Sequence, residues 1–251
     1  MNDNNNPYQE NLDKQRANFT ALSPMTFIDR AAKVYPDRTA VVHGDTRRNW
    51  AQTYQRCQQM ASALNKYGIG KGHTVSLIAP NIPEHFELHF AVPMCGAVLN
   101  SINTRLDSQT FAFILQHAEA KVLFVDREFS EMVAKALDMI PNNYLVIDID
   151  DLYWQGGELI GSINYEAFLA TGELSYHWQP PQDEWDAITL NYTSGTTGDP
   201  KGVVYHHRGA YLNAISNAMS WGMHQHPIYL WTLPMFHCNG WCFPWTVALM
   251  A

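Results

Sequence analysis

From Tyr192 to Gly202 the chain reads Tyr-Thr-Ser-Gly-Thr-Thr-Gly-Asp-Pro-Lys-Gly, eleven consecutive residues dominated by hydroxyls, glycines and one lysine. The three glycines reach backbone angles that other residues resist. They let successive N–H groups turn toward one point, and such concavities hold anions. Thr193, Ser194, Thr196 and Thr197 add hydroxyl donors, and Lys201 adds a mobile positive charge. This set suits the phosphates of a nucleotide. The generic phosphate loop G-x-x-x-x-G-K-[ST] fits poorly. Counted from Gly195, Pro200 stands where that loop needs glycine, and Gly202 stands where it needs a magnesium-binding hydroxyl. Pro200 has no N–H to give and fixes its own φ. A surface turn rich in Gly, Ser and Thr is the plainer alternative.

A second group of reactive side chains follows in Pro234-Met235-Phe236-His237-Cys238-Asn239-Gly240-Trp241-Cys242. His237, Cys238 and Cys242 are zinc-type donors, but a structural zinc site needs four ligands and no second Cys/His cluster of matching spacing is present. His237 could equally be a core histidine bonded to backbone, and Trp241 could be plain core packing. His206-His207 reads as a strand end and a helix start rather than as a metal site. Asp45, Asp150 and Asp151 read as solvated turn residues.

The phosphate-type loop needs strands on both sides, and the sequence supplies Ala187–Leu190 before it and Val203–Tyr205 after it. Upstream, residues 1–23 read as a flexible arm. Met25–Tyr35 has helical spacing, and Thr39–Val42 with Thr46–Trp50 suggests a hairpin about His43-Gly44-Asp45. A helix over Ala51–Tyr67 ends at Gly68. Strands at His73–Ala79, Ala97–Leu99, Lys121–Val125 and Tyr144–Ile149 then alternate with helices at Glu84–Cys95, after an Asp107 cap, and at Ser130–Met139. Such alternation implies α/β architecture with helix-covered, largely parallel sheets. Residues 24–150 are expected to form a first subdomain and residues 151–186, rich in Gly and Pro, a connector with one helical turn near Tyr165–Leu169. A second sheet is expected to begin at Ala187, opening a second α/β subdomain over residues 187–251. Within it, His207–Trp221 reads as helix, Ile228–Thr232 as strand and Pro244 onward as an apolar helix without a stop signal, as if the chain were cut within a domain.

The chain has 251 residues, 46% of them hydrophobic, enough for a sizeable core. A net charge of −8 with no basic patch argues against a nucleic-acid partner. No polybasic run suits a membrane surface and no apolar run reaches transmembrane length. Met1–Glu10 is polar and Asn-rich, unlike a signal peptide. Cys57, Cys95, Cys238 and Cys242 carry no disulfide pattern, so a cytoplasmic location is expected.

The loop from Tyr192 to Gly202 closely resembles the signature of the adenylate-forming family, which includes acyl-CoA synthetases, luciferases and peptide-synthetase adenylation domains. Tyr35-Pro36-Asp37-Arg38-Thr39-Ala40, Gly70-Lys71-Gly72-His73-Thr74-Val75, Asn81-Ile82-Pro83-Glu84 and the Pro-x-Phe-His segment extend the resemblance from about Met25 to the last residue. It implies the incomplete N-terminal domain of an acyl-CoA synthetase-like fold. It further implies ATP, Mg2+ and coenzyme A, with a fatty or other small carboxylic acid activated as acyl-adenylate and passed to the CoA thiol. Thr193, Ser194, Gly195, Thr196, Thr197, Gly198 and Lys201 would bind the ATP phosphates, with Thr193 also near magnesium. Lys201 and His237 would be catalytic, His237 and Gly240 would flank the carboxylate, and Trp241 would sit at the mouth of an acyl tunnel. The later family motifs for adenine and ribose, and a mobile C-terminal lysine, do not occur in this chain. An adenylation domain or luciferase-type member with another acceptor, or a noncatalytic remnant, shares the same loop, and a homodimer is left open.

Overall fold

The structure is a computed structural model that describes residues 8, 10–141, 144–193 and 198–251. Helix α1 (Met25–Val34) leads into an antiparallel hairpin of β1 (Thr39–His43) and β2 (Thr46–Asn49). Helix α2 (Trp50–Lys66) starts at a reciprocal cap. Asn49 Oδ1 accepts from Gln52 N at 2.8 Å, and Gln52 Oε1 accepts from Asn49 N at 2.9 Å, so two end donors are satisfied together. Of the expected arm, residues 1–7 and 9 lie outside those described. Ala21 and Ser23 are buried, so packing begins before residue 24.

Strands β3 (Thr74–Ile78), β4 (Val98–Ser101), β5 (Ala120–Asp126), β6 (Leu145–Ile149), β7 (Ile163–Asn164), β8 (Ala187–Tyr192) and β9 (Gly202–His206) form one sheet in the order β7-β6-β5-β3-β4-β8-β9. All neighbours are parallel except β8 and β9. The expectation of a second sheet from Ala187 is corrected here. Thr189 pairs with Leu99, so β8 extends the first sheet. The Gly- and Pro-rich stretch before it changes composition because it crosses the surface, not because a new sheet begins. It contributes β7 and α6 (Tyr165–Ala170) on the way.

Side chains alternate across β5: Val122 and Phe124 join the core under α1, α2 and α3 (Pro83–Met94), while Leu123 and Val125 join the core under α4 (Ser108–His117) and α5 (Ser130–Leu137). This period of two places helices on both faces. Helix α3 is buried on nearly every side, and its polar residues are therefore partnered. Glu87, fully buried, accepts from Arg48 (2.7 Å), Arg56 (2.7 Å) and Tyr165 (2.8 Å). One carboxylate thus joins β2, α2, α3 and α6. His85 Nδ1 donates to Pro80 O at 3.0 Å, which leaves Nε2 to accept from Ser101 Oγ at 2.7 Å. Burial lowers the His85 pKa to about 3, so it stays neutral and fixes the loops that leave β3 and β4.

Asp126 ends β5 with no solvent exposure. Its Oδ1 accepts from Glu128 N at 2.9 Å, while Oδ2 has no partner among the described residues. Burial raises its pKa from 3.8 to about 7. A carboxyl that holds its proton more tightly when folded adds stability below its unfolded pKa, and loses it as pH rises through the folded pKa. Asp126→Asn keeps an Oδ1 to receive Glu128 N but removes the titration. We expect the variant to gain stability relative to wild type as pH rises from about 4 to about 7, read by denaturant unfolding at each pH. Parallel curves would contradict this.

Candidate active site

Strand β8 delivers Tyr192 and Thr193 to the C-terminal end of the sheet, beside Ser101 and Ile102 from the end of β4. In open α/β sheets ligands bind outside the C-terminal ends of the strands. The loop between β8 and β9 is closed at its neck by two bonds. Thr193 N donates to Lys201 O at 3.0 Å, and Lys201 N donates to Thr193 Oγ1 at 3.1 Å. Neither uses the lysine side chain. Lys201 is exposed, and its ammonium makes no ion pair with a described residue. Gly198 is exposed with φ of +154° and open space where a Cβ would stand. Ser194, Gly195, Thr196 and Thr197 lie outside the described residues.

The segment Pro234–Cys238 packs back over this strand end. A cavity of about 150 Å³ lies between them, with Thr193 and His237 among its lining residues and Ile102, Leu106, Ile114 and Phe236 as apolar walls. The two motifs, far apart in sequence, therefore border one space. His237 is exposed, with Nδ1 4.0 Å from Cys238 Sγ, so the core-histidine alternative is set aside. Cys242 is buried. His206 ends β9 and caps α7 (His207–Ser220), its Nδ1 accepting from Gly209 N at 2.8 Å, while His207 is bonded to Ser23. Both are structural. Asp151 is less solvated than its turn position suggests, since it meets His43 Nε2 at 3.3 Å.

Residues that sequence reasoning did not single out hold the second motif in place. Asn81, in the loop after β3, donates to Leu233 O at 2.8 Å and accepts from Met235 N at 2.8 Å. Beyond His237 the backbone enters a left-handed turn, with φ between 50° and 65° at Cys238, Asn239, Gly240, Trp241 and Cys242. Each non-glycine residue there costs about 1–2 kcal/mol, so the turn needs external support. Buried Asn239 donates to Thr189 Oγ1 at 2.9 Å, and Asn217 donates to Trp241 O at 2.6 Å. Gly240 is required by packing as well: a Cβ would stand 2.9 Å from the Trp231 ring. The signal for these roles was the residue type alone: Asn81, Asn217 and Asn239 are scattered along the chain, and asparagine readily bonds backbone and tolerates the left-handed region. Gly240 and Trp241 are not among the residues lining the cavity, and Trp241 is 54% exposed, which also removes the core-packing alternative.

The expected strand Ile228–Thr232 does not form. Alternation is present, with Ile228 and Leu230 outward and Tyr229 and Trp231 half-buried, Tyr229 stacking on Phe243 at 4.8 Å. No described strand lies beside it to complete a ladder, and alternation alone does not supply backbone partners. The apolar helix forms at Phe243–Leu249.

The exposed Lys201 ammonium beside the neck is a donor of the kind that phosphate oxygens accept. The family described as AMP-binding enzyme matches residues 28–251. A peroxisomal acetate/butyrate–CoA ligase of Arabidopsis thaliana is 52% identical over 96% of this chain and 45% of its own length. A peroxisomal trans-cinnamate:CoA ligase of Petunia hybrida is 47% identical over 95% of this chain and 45% of its own length. Among solved structures, the inhibitor-bound N-terminal domain of FACL13 from Mycobacterium tuberculosis superposes with a TM-score of 0.78 at 26% identity, covering 91% of this chain and 55% of that one. The chain spans about half the length of the curated relatives it matches. The expectation of a cytoplasmic location is corrected by these relatives, both of which are named as peroxisomal.

Proposed function

Because this chain belongs to the AMP-binding enzyme family, we propose that it supplies the phosphate-binding half of the active site of an ATP-dependent acid–CoA ligase. The observation that carries this reading is the shared cavity: Thr193, at the root of the Gly/Ser/Thr loop, and His237 border one space at the ends of β4 and β8. In the first step a carboxylate oxygen attacks the α-phosphorus of ATP, and the bond to pyrophosphate breaks. Charge grows on the leaving group, so donors aimed there lower the barrier. The Lys201 ammonium, paired with no described residue, suits that role, and Thr193, Ser194, Gly195, Thr196, Thr197 and Gly198 would add hydroxyl and N–H donors. A magnesium ion bound with ATP would neutralise phosphate charge, with the Thr193 hydroxyl as its protein neighbour. His237 lines the same cavity and would meet the carboxylate of the acid. In the second step the thiol of CoA attacks the acyl carbonyl and AMP leaves. Contacts to adenine, ribose and CoA would fall in the part of the relatives' length that this chain does not span. Kinship with the ligases above supports a carboxylic acid as substrate and the peroxisome as location.

The test uses the full-length protein with ATP, magnesium and butyrate but no CoA. Mass spectrometry should detect butyryl-AMP, and adding CoA should convert it to the thioester. Formation of ADP, or of AMP without an acid requirement, would refute the reading.

A further inference from the structure

The left-handed turn after His237 carries a cysteine at each end. Cys238 and Cys242 are four residues apart, and φ lies between 50° and 65° at both and at the three residues between them. Such a turn has the repeat of a helix, so its first and last residues fall on one side, about 6 Å apart. Cα atoms joined by a disulfide stand about 4.4–6.8 Å apart. Tyr205 on β9 lies close to both thiols. Its hydroxyl is hydrogen-bonded to Cys238, and burial together with the nearby Cys238 and Cys242 raises its pKa to about 12. Both sulfurs are free.

The two cysteines differ in what they meet. Cys238 is half-buried, lines the cavity that Thr193 and His237 border, and has His237 Nδ1 4.0 Å from its sulfur. An oxidant in the cavity meets this sulfur, and the imidazole is placed to take the thiol proton. Cys242 is 1% exposed. Burial, with the neighbouring Cys238, pushes its pKa up to about 11, so it keeps its proton until a partner sulfur is presented.

We propose that Cys238 and Cys242 are a redox-modification site: a hydroperoxide joins them in a disulfide that stops adenylation, and a thiol reductant reverses it. The Cys238 sulfur attacks one oxygen of hydrogen peroxide, the O–O bond breaks, one water leaves and a sulfenic acid remains. The Cys242 sulfur then attacks that sulfur and the S–S bond forms. The sulfenic oxygen departs as a second water with the Cys242 proton. Two thiols are oxidised, and one peroxide is reduced to two waters. Neighbouring Cβ atoms on a helical turn stand about 5–6 Å apart, and a disulfide draws them to about 3.5–4.5 Å. Closing the bond therefore tightens the turn and shifts His237, which directly precedes Cys238. The loss of adenylation rests on the function proposed above; the disulfide itself does not.

The experiment treats full-length protein with hydrogen peroxide, alkylates the remaining thiols with iodoacetamide and, after digestion, weighs the peptide that spans residues 238–242. Wild type should yield an unalkylated peptide lighter by two hydrogens, and dithiothreitol should return two alkylatable thiols. Acyl-AMP formation should fall about a hundredfold on oxidation, the loss that a misplacement of about 1 Å brings, and recover with the reductant. In Cys242→Ser the product should be a Cys238 sulfenic acid that dimedone captures, and in Cys238→Ser the Cys242 thiol should survive the treatment. Wild type in which both cysteines remain alkylatable, or a disulfide that leaves the rate of acyl-AMP formation unchanged, would overturn the proposal. Untreated protein that forms no acyl-AMP would refute the function instead, and the mass of the peptide would still decide the disulfide.

Discussion

Replacing Lys201 with alanine should slow acid-dependent exchange between ATP and pyrophosphate by about a hundredfold, the usual loss when one donor to developing charge is removed. The change is clean in structural terms. Lys201 holds the neck of its loop through backbone atoms alone, donating N–H to Thr193 Oγ1 and accepting from Thr193 N. Alanine keeps both bonds. The ammonium, exposed and engaged by no described carboxylate, is all that is lost. Its charge matters most when negative charge grows on the departing pyrophosphate, so kcat should fall far more than the KM for the acid rises. Lys201→Arg should recover only part of the rate, because a planar guanidinium does not reproduce a compact ammonium. Exchange kinetics at saturating acid measure this step. A variant that exchanges at the wild-type rate would remove Lys201 from the mechanism.

The largest effect on stability is expected at Glu87. Its carboxylate is fully buried and receives Arg48, Arg56 and Tyr165. Glu87→Ala strands the charge of Arg48, whose other carboxylate, Glu84, is 3.9 Å away. Arg56 keeps its pair with Glu166 at 2.5 Å. Breaking a buried pair by removing one partner costs about 3–5 kcal/mol. Glu87→Gln retains the shape and an acceptor, so its cost should be about 1–3 kcal/mol. Urea unfolding of the full-length variants tests both values. An alanine variant within about 0.5 kcal/mol of wild type, the scatter of ordinary surface changes, would show that the network contributes nothing net.

Much of this was legible before any coordinates. The alternation of strand and helix from His73 to Ile149 follows from side-chain period and capping residues, and Asp107 caps α4 as its position suggests. The loop was legible because its chemistry is local: glycines, hydroxyls and a lysine within eleven residues. Partners distant in sequence were not. Nothing in Ala187–Tyr192 says that it pairs with β4, about ninety residues earlier, because sheet order is set by burial and crossover geometry rather than by the strand's own residues. Glu87 lies in a helix without an amphipathic stripe, so no pattern marked it as the joint of four elements. The strand expected at Ile228–Thr232 had the alternation but not the neighbour. The left-handed turn after His237 is stabilised by Thr189 and Asn217, residues whose types fit many roles. Trp241, suggestive in sequence, proves to be exposed.

The central claim is that an acid's carboxylate meets the α-phosphate of ATP where the two motifs converge. The most direct measurement follows oxygen. Full-length protein is given ATP, magnesium, CoA and butyrate labelled with oxygen-18 at both carboxylate positions. Attack by the carboxylate leaves one labelled oxygen bridging acyl carbon and phosphorus, and cleavage by the thiol leaves that atom on phosphorus. The account predicts AMP carrying one oxygen-18 and butyryl-CoA carrying the other. Unlabelled AMP with label retained elsewhere, or ADP in place of AMP, would contradict it.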